Sequence, residues 1–180
     1  MGRVMVGIDI NLEFKPVKIA ILTISDTRTV LTDTSGDILE SKIKLSGHEI
    51  ASRSIKRDTV DGVRDQISFW VNDPKVDVII TTGGTGLTGR DITPEALDEI
   101  ADKHIPGFGE IFRYLSLETV GTSSIQSRAC AVLSKGKYIF ALPGSSGGVT
   151  DAWDKILIHQ LDVNHKPCNF VELFPRLKEK

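Results

Sequence analysis

Two short apolar stretches constrain the fold of this chain more than any other feature of its sequence. Residues 17–24 read VKIAILTI and residues 76–80 read VDVII, so both are almost continuously apolar and rich in β-branched side chains. Strands that are covered on both faces have this composition, whereas strands with one face in water alternate apolar and polar residues. The two stretches therefore predict central strands of a sheet with helices on both sides.

Helix-like segments separate the strand-like ones. Residues 58–71 place apolar side chains at helical spacing behind Asp58, which is a good N-cap residue. Further helices are predicted over residues 35–45, from Pro94 onward, around residues 108–115 and through residues 149–161, and a weaker strand over residues 48–55. Strands that alternate with helices predict a three-layer α/β fold with a mostly parallel sheet.

One antiparallel hairpin is predicted within this alternation. Residues 129–133 and 137–142 are strand-like and flank Ser134-Lys135-Gly136, a sequence typical of a tight turn. The chain contains no internal repeat and no sequence typical of a linker between domains. We therefore expect one domain over residues 17–163, with extensions at residues 1–16 and 164–180.

Composition excludes several classes of protein. The 180 residues include 22 Lys and Arg against 24 Asp and Glu, and this net charge of −2 argues against a general nucleic-acid-binding protein. No apolar run approaches the roughly 20 residues that span a bilayer. Arg3, Asp9 and Glu13 interrupt the N-terminal segment, which therefore does not resemble a signal peptide. We expect a cytoplasmic protein that acts without a membrane.

Cysteine and histidine give no sign of a metal centre in the sequence. Cys130 and Cys168 are too far apart for a C-x-x-C pair and too few for a disulfide scaffold. The four histidines lack the spacing that zinc sites need. We expect idle thiols, no zinc site and no tightly bound prosthetic group.

The loops after three predicted strands are the expected location of a ligand. In open α/β sheets, ligands bind in the crevice beyond the carboxyl ends of the strands. The loops that follow Ile24, Ile80 and Leu142 all carry polar or glycine-rich sequence. We expect the three loops to converge at one edge of the sheet.

The loop after Ile80 is the most informative of the three. Residues 81–95 read TTGGTGLTGRDITPE and place four glycines within seven residues. Glycine permits positive φ and lets backbone N–H groups approach an anion closely. Thr93 is a predicted N-cap and Pro94 suits the first helical position, so we expect a helix N-terminus to point at the same loop. This combination predicts a phosphate-binding site.

Two other phosphate-binding motifs do not fit this loop. GTGLTG at residues 84–89 matches G-x-G-x-x-G formally, but the helix opens only at Pro94 and no acid follows at the required distance. The sequence also lacks the Gly-Lys-Ser/Thr of a Walker A loop. A long, tight turn that serves only packing is the remaining alternative.

Taken together, the motifs resemble a known family. GGTG at residues 83–86 and RDITPE at residues 90–95 resemble the signature of the molybdenum cofactor biosynthesis family, which includes molybdopterin adenylyltransferases and MoaB proteins. The match extends through SDTRT (25–29), DTSG (33–36), PGS (143–145) and DAWD (151–154), which are most similar to the MoaB branch. The resemblance covers about residues 16–175 and implies the three-layer α/β fold of that family.

The resemblance also implies a reaction and the residues that serve it. Members of the adenylyltransferase branch join the AMP part of ATP to the phosphate of molybdopterin, with Mg²⁺, and release pyrophosphate. By this resemblance, Asp58 and Asp91 are the catalytic acids and the Mg²⁺ ligands. Binding of ATP and molybdopterin is implied for Ser25, Asp26, Arg28, Gly83, Gly84, Thr85, Gly86, Thr93, Pro143, Gly144 and Ser145.

Acidic residues suit this chemistry, because a phosphate nucleophile and an anionic triphosphate repel each other unless a metal ion lies between them. Arg28 is expected to pair with a phosphate, and Asp26 with the edge of a pterin or ribose.

Each candidate also has a purely structural interpretation. Asp91 could be an acid near a helix N-terminus, Asp58 a helix N-cap, Asp26 and Arg28 turn residues, and Ser145 part of a helix entry turn.

The sequence departs from the adenylyltransferase branch in its first loop. That branch has Arg directly after Asp, whereas Thr27 separates Asp26 from Arg28 in this chain. The alternative function is a non-catalytic molybdopterin-binding oligomer, which acts as a carrier or scaffold in the same pathway. A third is the nucleotide chemistry of CinA-type pyrophosphatases. Because both acids are present, the sequence favours the enzyme.

The resemblance finally implies a homo-oligomer, since the family forms trimers and MoaB-type members pair trimers into hexamers. The two extensions carry apolar residues that suit burial between subunits. These residues are Val4, Val6, Ile8, Ile10, Phe170, Val171, Leu173 and Phe174.

Overall fold

The computed structural model describes residues 7–179. Its strands are β1 (Gly7–Ile8), β2 (Lys18–Ile24), β3 (Glu49–Lys56), β4 (Val78–Thr82), β5 (Lys103–His104), β6 (Cys130–Ser134), β7 (Lys137–Leu142) and β8 (His165–Lys166). Its α-helices are α1 (Thr34–Leu45), α2 (Val60–Val71), α3 (Thr93–Asp98), α4 (Pro106–Val120), α5 (Ser146–Ala152), α6 (Ile158–Gln160) and α7 (Phe170–Leu173). A π-helical turn, Trp153–Leu157, joins α5 to α6, and 3-10 turns follow α4 and α7 at Gly121–Gln126 and Phe174–Arg176. Over this part of the chain, no helix is long and apolar enough to cross a bilayer.

Six strands form the main sheet in the order β3-β2-β4-β7-β6-β5. The first four of these strands are parallel, and β6 runs antiparallel to both of its neighbours. The strands β1 and β8 form a separate antiparallel pair. The predicted mostly parallel sheet with one antiparallel hairpin is confirmed.

The central strands are apolar along their whole length because helices cover both faces of the sheet. Ile19 and Ile21 of β2 lie in the core formed with α1, α4 and α5, while Ala20 and Leu22 lie in the core formed with α2 and α3. All four side chains are fully buried. Successive residues of a strand point to opposite faces, so both faces need apolar side chains here. The predicted three-layer arrangement is confirmed.

The predicted hairpin turn between β6 and β7 has the geometry that its sequence favours. Ser134 pairs with Lys137, which leaves Lys135 and Gly136 as a two-residue loop. Their φ angles are 49° and 76°, so both residues are left-handed. A two-residue loop of this kind matches the twist of the strands that it joins, and glycine adopts such a conformation at little cost.

The apolar residues of the C-terminal segment pack mainly within the protomer. Val171 belongs to the core, and the rings of Phe170 and Phe174 lie 4.6 and 5.6 Å from that of Tyr138, measured between ring centroids. For Val171 the expectation of burial between subunits is wrong, because this residue is already buried within the protomer, and Phe170 and Phe174 are partly buried against the same core. Leu173, Ile8 and Ile10 are exposed, and Val4 and Val6 lie outside the described residues.

A Schellman motif at the end of α1 directs the chain into the core. Gly47 has a φ of 83° and donates its N–H to the carbonyl of Lys44 at 3.0 Å. His48 donates its N–H to the carbonyl of Ile43 at 3.1 Å, which completes the motif. The turn brings the His48 side chain into a buried position.

His48 is held in its neutral form by this position. Its Nδ1 accepts a hydrogen bond from the Val17 N–H at 3.2 Å, so Nε2 carries the single ring proton. The ring lies against Phe14, with ring centroids 5.1 Å apart, and near Trp153. Burial lowers the pKa of His48, and the negative charge of Asp162 opposes this effect only in part.

We expect the free energy of unfolding to decrease as the pH falls below about 6.5, the ordinary pKa of histidine. The unfolded chain binds a proton at His48 in this range, whereas the folded chain does so only at a lower pH, so acid favours unfolding. Urea denaturation at about pH 7 and pH 5 measures the difference. His48→Asn keeps an acceptor but does not titrate, and should lose less stability between the two pH values.

His104→Asn is the control for this experiment, because the His104 side chain is exposed on β5. This variant should keep most of the pH dependence of the original chain. If His48→Asn lost stability with acid as steeply as the original chain, His48 would not be the group responsible.

Candidate functional site

The three loops that follow β2, β4 and β7 meet around one cleft of about 440 Å³. The predicted convergence of these loops at one edge of the sheet is confirmed. The predicted site residues that line the cleft are Ser25, Arg28, Asp58, Gly83, Gly84, Thr85, Gly86, Asp91, Pro143, Gly144 and Ser145. Ser35, Gln126 and Ser127 also line it, although the sequence analysis did not select them. Asp26 and Thr93 lie beside the cleft and make the contacts described below.

Direct backbone packing between the loops requires glycine at position 83. Gly83 has a φ of 108°, and a Cβ atom there would collide with the carbonyl oxygen of Ile24 at the end of β2. Gly83 also donates its N–H to the carbonyl of Leu142 at 3.0 Å, while the Thr82 hydroxyl donates to the carbonyl of Pro143 at 2.9 Å. The ends of β4 and β7 are therefore joined by a backbone hydrogen bond and a threonine hydroxyl, and the backbone of Gly83 packs directly against the end of β2.

Thr93 holds the glycine-rich loop by hydrogen bonds and does not cap a helix. It is the first residue of α3 and is fully buried, and the structure gives α3 no side-chain N-cap. Its hydroxyl donates to the carbonyl of Gly83 at 2.8 Å, and its N–H donates to the carbonyl of Gly84 at 2.9 Å. The predicted N-cap role of Thr93 is wrong, because the hydroxyl is used for the loop.

Asp91 closes the second half of the same loop. Its Oδ2 accepts hydrogen bonds from the N–H and the hydroxyl of Thr88, at 2.8 and 2.7 Å. Partial burial alone would raise the pKa of Asp91, but the hydrogen bonds from Thr88 and from the Gly86 N–H, together with the charge of Arg128, outweigh burial and lower the pKa. Asp91 is thus an ionised carboxylate at the wall of the cleft.

Asp58 is the second acid of the cleft and is not a helix cap. The N-cap of α2 is Thr59, whose Oγ1 accepts the N–H of Gly62 at 3.3 Å, so the predicted N-cap role of Asp58 is wrong. The chain is extended at Thr59, which moves Asp58 one residue away from the helix and towards the cleft. Burial, and secondly the negative charge of Asp91, raise the pKa of Asp58. The two carboxylates are therefore close enough to repel each other.

The loop after β2 is organised by its own polar side chains. The Ser25 hydroxyl oxygen accepts the N–H groups of Thr27 and Arg28, each at 3.2 Å. The Arg28 guanidinium then donates to the Ser35 hydroxyl at 2.9 Å and to the carbonyl of Gly144 at 3.2 Å. Arg28 is therefore placed at the cleft wall between the start of α1 and the loop after β7.

Asp26 forms an ion pair with Arg90 of the glycine-rich loop. The side chain of Arg90 is largely exposed and that of Asp26 is half-buried. Asp26 was expected to meet the edge of a pterin or ribose, but in this structure it links the loop after β2 to the loop after β4. The contact connects the two loops at the rim of the cleft.

Asp33 is a buried carboxylate beneath the cleft that the sequence analysis quoted only as part of a motif. It is fully buried and accepts hydrogen bonds from the Thr23 hydroxyl at 2.7 Å, the Arg53 guanidinium at 2.8 Å and the Gly36 N–H at 3.0 Å. Burial alone would raise the pKa of Asp33, but these three donors outweigh it and lower the pKa. Its second oxygen lies 3.6 Å from the Arg28 guanidinium.

Ser145 forms the helix entry turn that the sequence analysis gave as its structural interpretation. Its Oγ accepts the N–H of Gly148 at 3.1 Å and caps α5. The residue also lines the cleft, beside the loops that follow β2 and β4. A cap and a contact with a ligand are compatible for a hydroxyl, which both donates and accepts.

Within residues 7–179, no group of three or more His, Cys, Asp or Glu side chains is arranged so that it could hold a metal ion by itself. Asp58 and Asp91 form a pair of acids in the cleft. A cation that needs more oxygen ligands than this pair supplies would have to take them from water or from a bound substrate.

Comparison with known proteins assigns the chain to a family. Residues 20–163 match the family described as "Probable molybdopterin binding domain". Molybdenum cofactor biosynthesis protein B of Escherichia coli K12 is 43% identical over 170 residues, which cover 94% of this chain and 98% of that protein. A crystal structure of a molybdenum cofactor biosynthesis protein B superposes with a TM-score of 0.83 at 38% identity and covers 92% of this chain and 98% of the other.

A more distant structure has the same fold. The tungsten cofactor synthesizing protein MoaB of Pyrococcus furiosus superposes with a TM-score of 0.70 at 33% identity, over 79% of this chain and 91% of the other. The family match, the sequence identity and the superposition all extend over the cleft-forming residues 23–145. The chain belongs to the MoaB family of molybdenum cofactor biosynthesis proteins.

Proposed function

We propose that this chain transfers the adenylyl group of ATP to the phosphate of molybdopterin and releases pyrophosphate. A phosphate oxygen of molybdopterin forms a bond to the α-phosphorus of ATP, and the bond from that phosphorus to the α,β-bridging oxygen breaks. The observation that carries the proposal is that a glycine-rich loop and two acids, Asp58 and Asp91, line the same cleft. Enzymes of this kind act mainly by positioning and by charge stabilisation, and do little covalent chemistry themselves.

The glycine-rich loop is suited to hold the phosphates of ATP. The carbonyl oxygens of Gly83 and Gly84 accept hydrogen bonds from Thr93, and those of Thr85 and Gly86 accept hydrogen bonds from Arg128. Four successive carbonyl dipoles are thus bonded within the protein and do not repel an anion in the cleft. The N–H groups of Gly83 and Gly86 are already bonded, to Leu142 and Asp91, so the donors that we assign to phosphate are the N–H groups of Gly84 and Thr85.

The two acids fit Mg²⁺ that arrives with ATP, because proteins usually bind this ion through one or two carboxylates together with substrate phosphates. Bound there, Mg²⁺ offsets the repulsion between the phosphate nucleophile and the triphosphate. Asp91 is already ionised and oriented by Thr88 and Gly86. Burial, and secondly the negative charge of Asp91, raise the pKa of Asp58, and a cation held between the two acids would offset the repulsion between them.

Arg28 and Ser145 are the residues that we assign to the phosphate of molybdopterin. The guanidinium of Arg28 is held by Ser35 and by the carbonyl of Gly144, directly before Ser145. A planar guanidinium with remaining donors can hold a phosphate by two parallel hydrogen bonds. The acceptor phosphate would then lie between the loop after β2 and the loop after β7, beside the ATP phosphates.

The exposed side of α4 supports the proposal that the chain forms a trimer or a hexamer. Phe108 and Phe112 of this helix are buried in the core, yet the opposite side also carries large apolar side chains. These are Ile111, Tyr114, Leu117 and Val120, which are between 46% and 68% exposed. Although Glu110 and Glu118 also lie on this helix, so many exposed apolar side chains on one face indicate a surface that another protein covers. A second copy of the chain would provide that cover.

We expect Leu117→Glu to reduce the oligomeric mass measured by light scattering at micromolar concentration, because a buried, unpaired carboxylate is costly at an interface. Leu45→Glu is the matched control, since Leu45 is 84% exposed at the end of α1 and should tolerate a charge. A monomeric mass for the original chain would show that the proposed oligomer is wrong.

Asp91→Asn tests the proposed reaction. The carboxamide can keep one hydrogen bond from Thr88 but is neutral, so the folded state should lose only about 1 kcal/mol. Adenylyl transfer should fall by roughly a hundredfold or more, because charge stabilisation in the transition state is lost. Release of pyrophosphate from ATP, in the presence of molybdopterin and Mg²⁺, is the measurement.

Asp61→Asn is the control for this variant, because Asp61 is an exposed acid in the first turn of α2. It should leave pyrophosphate release unchanged. Unchanged release in Asp91→Asn as well would mean that Asp91 serves only the loop. If the original chain binds molybdopterin but releases no pyrophosphate, the chain is a non-catalytic carrier or scaffold. The cytoplasmic location stays a prediction, which the proposed use of ATP favours.

A further inference from the structure

Arg128 makes an unusual set of contacts behind the glycine-rich loop. Its Nε donates to the carbonyl of Gly86 at 2.6 Å, and its Nη2 donates to the carbonyl of Asp91, also at 2.6 Å. Its Nη1 forms an ion pair with Glu95 in the first turn of α3. Its own backbone N–H donates to the carbonyl of Thr85 at 2.8 Å.

These contacts fix both ends of one short segment. Gly86 and Asp91 are the first and last residues of a six-residue turn, and one guanidinium bonds to the carbonyl of each. Inside the turn, the Asp91 carboxylate accepts hydrogen bonds from Thr88. The side chain of Asp91 is thus held from within the turn, while its backbone is held from outside by Arg128.

Arg128 acts from outside the cleft. Gln126 and Ser127 line the cleft, whereas the next residue, Arg128, lines a neighbouring depression together with Arg113 and Cys130. The guanidinium is therefore placed to orient Asp91 through its peptide group, without meeting a ligand itself.

We propose that Arg128 is a positioning residue that fixes the Asp91 carboxylate for catalysis. The inference rests on the function proposed above for Asp91. It adds that the geometry of the acid is set by a residue 37 positions further along the chain. The planar guanidinium is needed, because its Nε and Nη2 reach two carbonyls in a fixed relative geometry while Nη1 reaches a carboxylate.

Arg128→Lys tests this inference, with Arg113→Lys as the matched control. Arg113 also donates to backbone carbonyls nearby, those of Ser127 and Ala129 at 3.4 and 3.1 Å, but makes no contact with the glycine-rich loop in this structure. Both variants keep the positive charge and lose the planar fork. Only Arg128→Lys should therefore affect the loop.

The first measurement is hydrogen exchange of the backbone amides over residues 86–91, which needs no substrate. In Arg128→Lys we expect exchange of the Thr88 and Asp91 amides to become roughly tenfold faster or more, because a charge-assisted hydrogen bond at each end of the turn is weakened. Arg113→Lys should leave the exchange of these amides unchanged. Because this measurement does not depend on activity, it remains informative if the chain proves not to be an adenylyltransferase.

The second measurement separates kcat from KM for pyrophosphate release. We expect kcat of Arg128→Lys to fall by about a hundredfold while KM for ATP changes little, since misplacement of a catalytic group costs rate more than it costs binding. Methylguanidine should restore part of the kcat that Arg128→Ala loses, and it should not change the kcat of Arg113→Ala.

Two results would overturn the inference. One is unchanged amide exchange over residues 86–91 in Arg128→Lys. The other is an equal loss of kcat in Arg128→Lys and Arg113→Lys, which would indicate a general loss of stability. A third outcome separates the two proposals. If amide exchange is faster in Arg128→Lys but the original chain releases no pyrophosphate, Arg128 still orders Asp91. The catalytic purpose of that order and the proposed reaction would then both be wrong.

Discussion

The candidate site depends on the bonding of the peptide carbonyls at residues 83–86. Thr93 accounts for two of these carbonyls and Arg128 for the other two. A loop with free carbonyls would lose the hydrogen bonds that its buried peptide groups require, and would turn negative dipole ends towards an anionic ligand. The glycine residues make the path of the backbone possible, but the two anchoring residues determine which side of each peptide faces the cleft.

The other features of the cleft add to this frame. The Arg28 guanidinium connects the loop after β2 to the carbonyl of Gly144, and Asp26 pairs with Arg90 across the two neighbouring loops. Each loop is therefore bonded to at least one other loop before any ligand is present. A ligand that enters such a cleft orders few additional groups, and less of its interaction energy is lost to conformational entropy.

Local patterns in the sequence were sufficient for most of the fold. Apolar β-branched runs predicted β2 and β4, and the Lys135-Gly136 turn predicted the hairpin, because in both cases neighbouring residues determine the outcome. The helix caps were less predictable. Asp58 and Thr59 are both good N-cap residues, and the choice between them depends on the cleft, which is formed by other parts of the chain.

The contacts that organise the site depend on distant residues and were harder to predict. Arg128 lies in the polar segment SIQSRA, which has no recognisable pattern, and it meets Gly86 from a position 42 residues away. The aromatic residues of the C-terminal segment were likewise assigned to subunit contacts, because no local signal indicates that Tyr138 offers them a surface. Motif resemblance selected residues that line the cleft and also Thr93, which holds the loop in place, but it did not select Arg128.

The buried carboxylate of Asp33 makes the evolution of the cleft depend on several positions at once. One of its oxygens bonds to Arg53, which also pairs with Asp37 and Glu40, and the other lies near Arg28, so two cations share one negative charge that has no exposure to water. Replacing Asp33 alone would remove the carboxylate that Arg28 faces and leave Arg53 with only its partly exposed partners Asp37 and Glu40, and replacing Arg53 alone would leave a buried carboxylate poorly compensated. Related sequences should therefore change these positions together or keep them all, and a route through single substitutions would pass through a poorly folded intermediate.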